Sequence, residues 1–312
     1  EVVKALEKIG LRGIVSFGAG DIRSDITTKK LLKEHESLAE AAENSKLCDF
    51  RVGVATLGVQ SPELFKETIN FAKEGNFGIH IHLQEIREEV TAIRNNLGFT
   101  PIQYCAQSGL FDFPTIAAHC VWIDSEDTNI LADHSVGVAH NPMSNMILAS
   151  GVCPVPELRG MGVNVGIGID GAGSNDSQNM LESLKITPLL QRVKHLQATA
   201  LSARDAFKMA TIEGARALCV DKEIGSLEMG KKADFVVLNG NSPVLANVHD
   251  PFQALVYCAG TREVKEVWIS GEIVLKDGEV INVSSEEVVE RSRPLAIKLV
   301  KSAGLSNLSS LF

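Results

Sequence analysis

The sequence predicts an α/β fold: a parallel β-sheet of the β/α-barrel type, followed by a small antiparallel β unit. Apolar, β-branched runs alternate with longer helical patterns over about the first 220 residues. Clusters containing His, Glu or Asp directly follow four of these runs, where strands should end. After residue 221 the pattern changes to short strands separated by glycine turns. Apolar strands that alternate with helices are typical of a parallel sheet covered by helices.

Six strands and seven helices are predicted in the first part of the chain. The strands lie at residues 13–17, 51–57, 77–83, 115–123, 136–140 and 163–169. The helices lie at residues 1–8, 29–43, 62–73, 85–96, 126–133, 177–198 and 202–219. A closed barrel of this type needs eight such units. An open doubly wound sheet is the rival architecture, but Gly18-Ala-Gly20-Asp matches its phosphate loop only weakly.

The C-terminal part has the pattern of an antiparallel sheet. Strands are predicted at residues 233–238, 264–269, 273–275 and 280–281, with turns at Ser270-Gly271 and Asp277-Gly278. A helical pattern starts at residue 285, and residues 306–312 are expected to fray. We therefore predict a barrel domain at residues 1–222, a small β domain at residues 223–284, and a C-terminal helix and tail at residues 285–312.

Composition excludes several classes of protein. The 312 residues carry a net charge of −9 without a Lys/Arg stripe, which disfavours nucleic-acid and anionic-membrane partners. No apolar run approaches the ~20 residues that a membrane span needs. The six cysteines are scattered in apolar settings without a C-x-x-C pair, which favours reduced thiols and a cytoplasmic location.

The first polar cluster is His80-Ile-His82-Leu-Gln-Glu85. Two histidines two residues apart on a strand share one face, which points into a barrel, while the isoleucines face the helices. A pair of hydrogen-bonded core histidines is the structural alternative. Glu85 favours a metal or catalytic site, because it follows at the strand end where barrel chemistry is located.

The other clusters follow later strands. His119 ends an apolar run and could equally be a core histidine, and the Asn141-Pro142 that follows His140 could simply build a turn. Asp170 follows Val-Gly-Ile-Gly-Ile, where a carboxylate must be solvated, paired or metal-bound, although it could instead cap the next helix. No G-x-S-x-G elbow and no cytidine-deaminase signature occur, which disfavours those two chemistries.

In this order the clusters resemble the amidohydrolase superfamily, in particular its branch of cytosine and guanine deaminases and triazine hydrolases. The matching stretches are Ile81-His-Leu-Gln-Glu85, Ala118-His-Cys-Val121, Ala139-His-Asn-Pro-Met-Ser-Asn145 and Gly168-Ile-Asp-Gly-Ala-Gly-Ser-Asn175, and the match continues into Gly225-Ser-Leu-Glu-Met-Gly and Val267-Trp-Ile-Ser-Gly. Each motif is moderately specific, whereas the ordered set is highly specific.

The resemblance implies roles for individual residues. His82 would be the metal ligand from the fifth strand of the family's barrel, and Asp170, from the eighth, a ligand and proton shuttle. His119 would orient the attacking hydroxide or the tetrahedral centre, and Glu85 would exchange a proton with a substrate ring nitrogen. His80 would lie behind the ligands. The implied substrate-binding residues are His140, Asn141, Asn145, Ser174 and Asn175.

One family feature has no counterpart in this chain. Family members begin the barrel with an H-x-H metal pair on the first strand, whereas the only histidine before His80 here is His35, in a predicted helix. The resemblance therefore implies a partial TIM (β/α)8-type barrel with strands 3 to 8 and the C-terminal portion of a β-sandwich. About 130–150 residues of a family member would be absent, as judged against a typical barrel of ~250 residues. We expect one divalent metal, zinc with iron as the alternative, bound weakly or not at all without the pair.

The function that the resemblance implies is the hydrolytic deamination of an N-heterocycle such as a purine, pterin or triazine by metal-activated water. A cyclic-amide or chlorotriazine hydrolase and an inactive fragment remain as alternatives. The partners implied are a small heterocyclic substrate and, in the intact form, further copies in a homodimer or higher homo-oligomer. Residues 55–60 also lack a histidine that family members often place before Ser61-Pro-Glu-Leu64.

Overall fold

A parallel sheet carries the predicted strand-end clusters. The computed structural model describes residues 1–22 and 25–305. Within them the parallel sheet has six strands in the order of the chain, each hydrogen-bonded to the next. These strands are β1 Gly13–Val15, β2 Cys48–Val54, β3 Gly78–Leu83, β4 Thr115–His119, β5 Gly137–His140 and β6 Val165–Ile167. The strand order and the intervening helices confirm the predicted α/β fold with barrel-type winding.

Helices alternate with the strands of the parallel sheet, and the last two helices follow in the C-terminal part of the chain. In chain order they are α1 Val2–Ile9, α2 Thr28–Glu43, α3 Pro62–Gly75, α4 Arg87–Leu97, α5 Pro101–Gln107, α6 Ser125–Asp133, α7 Pro142–Ile147, α8 Val155–Gly160, α9 Ala172–Asn175, α10 Met180–His195, α11 Ala203–Met209, α12 Ile212–Ala217, α13 Pro251–Tyr257 and α14 Ser285–Ser302. Short 3-10 turns occur at Leu57–Val59, Leu110–Asp112 and Thr261–Glu263.

The alternation of side chains on β3 sets the two faces of the sheet. Ile79, Ile81 and Leu83 are fully buried in the main apolar core. His80 and His82 point to the opposite face and are only partly buried. Since successive residues of a strand face opposite sides, the apolar residues fix β3 against the helices and direct both histidines to the inner face.

The C-terminal strands form a separate antiparallel sheet, as predicted. Its strands are β7 Phe235–Leu238, β8 Val264–Ile269, β9 Glu272–Lys276 and β10 Glu279–Val280, in the order β10-β9-β8-β7. Ser270-Gly271 and Asp277-Gly278 turn the chain with positive φ at both residues of each pair, as two-residue hairpins of type I′ require. A two-point ion pair joins Arg12, just before β1, to Asp234, just before β7, with N···O distances of 3.0 and 3.1 Å.

One predicted helix is wrong in detail. The helical pattern at residues 202–219 is interrupted at Thr211, so that α11 and α12 are separate helices. The break lets α12 lie directly against β6, where Gly166 and Gly214 meet. A Cβ on Gly166 would be 3.0 Å from the Gly214 Cα, which explains why the contact uses two glycines.

Several short helices were not predicted, namely α5, α7, α8, α9 and α13. The division at residues 222 and 284 stays a prediction, and residues 306–312 of the predicted tail lie outside the described part of the chain. No helix among the described residues is both long and apolar enough to cross a membrane.

Candidate active site

Three residues predicted from the sequence meet at the carboxyl end of the parallel sheet. His82 comes from β3, His119 ends β4, and Asp170 follows β6. One potential ligand atom from each lies within 4.8 Å of the others. Since carboxyl ends of parallel strands share one edge of the sheet, residues 88 positions apart come together here without any local sequence relationship.

His82 is fixed by the backbone of the neighbouring strand. Its Nδ1 lies 2.7 Å from the carbonyl oxygen of Ala55, which also accepts the His82 backbone N–H at 3.1 Å. A carbonyl oxygen can only accept, so Nδ1 carries the proton and Nε2 keeps a free lone pair. A histidine held in this way is oriented for metal binding through Nε2.

His119 is nearly fully buried and differs from His82 in its partners. Its ring centroid lies 5.4 Å from that of His82. Nδ2 of Asn145 lies 3.0 Å from Nδ1, and Nε2 lies 3.6 Å from Oε2 of Glu85. Burial lowers the pKa of His119 against the opposing effect of the Glu85 carboxylate. The ring is therefore neutral near pH 7 and faces Glu85.

Glu85 is held between two loops. Its Oε1 accepts a hydrogen bond of 3.0 Å from Ser150 Oγ, while Oε2 faces His119. The loop that carries Glu85 is fixed by the preceding Gln84, whose buried amide donates to the Trp122 carbonyl at 2.6 Å and to Asp127 Oδ2 at 3.0 Å. The carboxylate therefore has a defined position beside the His82–His119–Asp170 cluster.

A second carboxyl group, that of Glu89, lies one helical turn beyond Glu85. It accepts a hydrogen bond of 3.1 Å from Thr56 Oγ1 and further bonds from the backbone amides of Gln84 and Glu85. Burial raises the pKa of Glu89 to about 7, with a smaller contribution from the Glu85 charge. Glu89 thus ties the Glu85 loop to the end of β2.

Asp170 is anchored at both carboxylate oxygens. Ser144 Oγ donates to Oδ2 at 2.5 Å, and the Gly171 amide donates to Oδ1 at 2.7 Å. Burial alone would raise the pKa of Asp170, but these hydrogen bonds hold it below its ordinary value. The side chain is ionised at neutral pH.

The backbone at the site is strained. Gln84, His119, Cys120 and Asp170 all have φ between +47° and +75° without being glycine. Non-glycine residues rarely adopt this conformation, and such residues cluster at functional sites. The strain supports the location of the site independently of the side chains.

The other predicted site residues lie around this cluster. His80 Nδ1 is 3.2 Å from Ser16 Oγ, and burial lowers the pKa of His80 to about 4. His140 is completely buried with its pKa lowered by burial to about 3, and neither ring nitrogen has a hydrogen-bond partner among the described residues. Both imidazoles are therefore neutral at physiological pH.

The remaining predicted substrate contacts differ in exposure. Asn141 and Asn145 are buried at the start of α7 and within it. Asn175 is also buried and donates to the Ile169 carbonyl, whereas Ser174 is partly exposed and its Oγ donates to the Gly171 carbonyl at 3.1 Å. Ser174 is thus the one of these four whose side chain reaches solvent.

Sequence reasoning did not assign a role to Ser16, Ser144, Ser150 or Glu89. Ser144 lies inside the His140–Asn145 motif, so its position was a usable signal. Ser16 and Ser150 contact the site from loops that carry no recognisable pattern, and Glu89 contacts it from the first turn of α4, where its helical pattern gave no sign of a contact with the site.

A parallel sheet wound as a β/α barrel, with a His–His–Asp cluster at its carboxyl edge, defines the class of barrel-type metallohydrolases. The chain belongs to the amidohydrolase family, whose sequence pattern matches residues 1–274. The resemblance inferred from the motifs is confirmed.

Named relatives share this family and carry the names of deaminases. The chain is 40% identical over 303 residues to a 5'-deoxyadenosine deaminase of Methanothermobacter thermautotrophicus, covering 96% of this chain and 70% of that protein. It is 37% identical over 306 residues to a 5-methylthioadenosine/S-adenosylhomocysteine deaminase of Thermoanaerobacter pseudethanolicus, with the same coverage. The chain therefore spans about 70% of the length of these relatives.

Solved structures agree on the fold. An adenosine deaminase from Xanthomonas campestris with bound zinc superposes with a TM-score of 0.89 at 27% identity, covering 94% of this chain and 67% of that one. An atrazine chlorohydrolase from Arthrobacter aurescens in complex with zinc has a TM-score of 0.84 at 23% identity, covering 94% and 68%.

Proposed function

We propose that this protein is a metal-dependent aminohydrolase that removes the amino group from the adenine ring of a nucleoside with a modified 5′ position. The observation that carries the proposal is the Glu85 carboxylate, 3.6 Å from His119 at the edge of the His82–His119–Asp170 cluster. Deamination of a ring requires a proton donor beside the attacking water, and we propose that Glu85, in its protonated form, is this donor. The names of the relatives that are 35–40% identical support an adenine nucleoside as the substrate.

The residues present fit a divalent metal. The free Nε2 of His82 and the ionised carboxylate of Asp170 are ligand types that zinc binds, and the hydrogen bond from His82 Nδ1 to Ala55 is the outer support such ligands have. We propose zinc, which the similar Xanthomonas campestris structure contains, with iron as the alternative. When bound, the metal lowers the pKa of water at the site toward ~7.

The side chains can then divide the proton transfers. Asp170 is ionised and accepts the proton of the attacking water. Glu85 delivers a proton to the ring nitrogen next to the amino-bearing carbon, so that attack leaves a neutral ring. His119 donates through Nε2 to the oxygen that develops on the tetrahedral carbon. As the tetrahedral centre collapses, its hydroxyl proton passes to Glu85, which returns to the acid form in which it began, and the amino group takes up the proton held by Asp170 and leaves as ammonia.

The substrate contacts form part of the proposal. Ser174 is partly exposed beside Asp170, which supports the proposal that it binds the substrate directly. His140, Asn141 and Asn175 are buried and would shape the pocket wall. His80, held by Ser16, would lie behind the ligands on the inner face of β3.

Ammonia release tests the proposal. The assay supplies Zn²⁺ in excess and offers 5′-deoxyadenosine, 5′-methylthioadenosine, S-adenosylhomocysteine, guanine, 8-oxoguanine, isoxanthopterin and melamine. We expect release from at least one adenine nucleoside, and a loss of at least about 1,000-fold in Glu85→Gln. The matched control is Glu88→Gln, because Glu88 is exposed in the first turn of α4, three residues after Glu85, and should be dispensable. Chloride release from a chlorotriazine, or ring opening of a cyclic amide, without ammonia release would favour the alternative hydrolase instead.

Further properties remain predictions. We propose that the intact form is a homodimer or a higher homo-oligomer. Light scattering measures the mass of the particle in solution and therefore tests this. The cytoplasmic location rests on the six free cysteines, four of which are buried. We also propose that the protein binds neither nucleic acid nor a membrane surface, in accord with its net charge of −9.

A further inference from the structure

One short segment contacts three residues of the site. It comprises residues 144–150, from within α7 to the turn that follows. Its three buried polar side chains each bond a different partner: Ser144 Oγ donates to Asp170 at 2.5 Å, Asn145 Nδ2 lies 3.0 Å from His119 Nδ1, and Ser150 Oγ donates to Glu85 at 3.0 Å. Buried polar groups that are paired in this way fix the geometry of their partners.

The Asn145 contact determines the proton position on His119. An amide nitrogen can only donate, so His119 Nδ1 must accept. The ring proton then lies on Nε2, which is 3.6 Å from Glu85 Oε2. His119 consequently presents a hydrogen-bond donor, and not a base, on the side of its ring that faces Glu85.

The segment is held in place at several points. The Ser150 amide donates to the Asn145 carbonyl at 2.9 Å, and Trp122 Nε1 donates to the Ser150 carbonyl at 2.7 Å. Ala149 and Gly151, on either side of Ser150, have φ values of +54° and +125°. This turn directs the Ser150 hydroxyl to Glu85.

We propose that residues 144–150 are the positioning segment of the site, in which Asn145 sets the tautomer of His119 and Ser150 sets the orientation of Glu85. The inference rests on the proposed function in treating His119 and Glu85 as the reacting groups. It gives Asn145, which is 1% exposed, a role other than direct substrate contact.

The tautomer is tested with Asn145→Asp, which keeps the shape of the side chain but replaces the donor by an acceptor. In ¹⁵N spectra of imidazole-labelled protein, His119 should change from the Nε2–H form to a form protonated at Nδ1. His119→Gln identifies the resonance, and Asn96→Asp, at an exposed position of α4, is the matched control. We expect kcat to fall at least about 100-fold with KM altered less than about threefold, because a wrong tautomer removes the donor from the reaction.

The orientation of Glu85 is tested with Ser150→Ala and Ser150→Thr. The first should lower kcat about tenfold, and the second should restore most of it by returning a hydroxyl. Ser125→Ala, at an exposed position of α6, is the control. If Asn145→Asp does not fold, Asn145→Ala replaces it, and the spectrum should then show both tautomers.

The outcomes separate this inference from the proposed function. An unchanged His119 tautomer in a folded Asn145 variant, or full kcat in Ser150→Ala, overturns the inference even if the wild-type protein releases ammonia. Absence of ammonia release from the wild-type protein with zinc overturns the proposed function. In that case the ¹⁵N spectra still decide the tautomer that Asn145 sets.

Discussion

The raised pKa of Glu89 makes the stability of the protein depend on pH. Its pKa is about 7 in the folded protein against an ordinary value of 4.5. Because the folded state holds this proton more tightly than the unfolded state, the free energy of unfolding falls as pH rises from about 4.5 to about 7. The change in pKa corresponds to about 3 kcal/mol, which is an upper value because the side chain is not completely buried.

Replacing Glu89 with Gln removes this titration and keeps the size of the side chain. Urea unfolding of wild-type protein and Glu89→Gln at pH 5, 6, 7 and 8 gives the difference in unfolding free energy at each pH. We expect the variant to gain up to about 3 kcal/mol relative to the wild type between pH 5 and pH 8. Glu88→Gln serves as the control, since Glu88 is exposed. Parallel stability curves for wild type and Glu89→Gln would refute the reasoning.

Three further predictions concern the metal, an ion-pair cluster and the core. After dialysis against zinc-free buffer the 312-residue chain should retain far less than one zinc. In the His82–His119–Asp170 cluster of the described residues, only His82 and Asp170 keep a free ligand atom once His119 Nε2 carries its proton, whereas a catalytic zinc site has three protein ligands. Metal analysis showing one zinc per chain would contradict this. Arg159→Ala should lower the unfolding free energy by about 1–3 kcal/mol, since Arg159 pairs with carboxylates on both α11 and α12 at 3.1 and 2.9 Å. A calorimetric unfolding midpoint equal to that of the wild type would contradict this prediction. Leu131→Ala should lower the free energy of unfolding by about 2–5 kcal/mol, because it opens a cavity under α6. Urea unfolding measures this loss, and a loss below about 1 kcal/mol would contradict the prediction, since the neighbouring side chains would then have filled the cavity.

The sequence predicted most of the parallel strands from short runs rich in Val, Ile and Ala, and it predicted β3 from the alternation of apolar residues with histidines. It also predicted the meeting of His82, His119 and Asp170, since strand ends in a parallel sheet converge whatever their separation in the chain. On β3 the alternation of buried isoleucines with half-buried histidines followed directly from the two-residue period of a strand.

Other features had no comparable signal. Helices α5, α7 and α13 have six or seven residues and begin with proline, so they are too short to show a helical period. The bonds from Ser144 to Asp170 and from Ser150 to Glu85 join residues 26 and 65 positions apart. Such pairs depend on how loops approach each other across the sheet edge, which hydrophobic patterning does not determine.

Gln84, His119, Cys120 and Asp170 have a left-handed backbone conformation, and stability and activity therefore place opposing demands on these positions. A residue held in such a conformation costs on the order of 1–3 kcal/mol, which the rest of the fold must offset. Glycine adopts the same φ without this penalty, so a screen for thermal stability alone would favour glycine at the partly exposed Asp170, whereas at the buried His119 the lost packing opposes this gain. Stabilised variants selected in this way would lose a reacting group, and directed evolution of this protein therefore needs selection for turnover as well as for heat resistance.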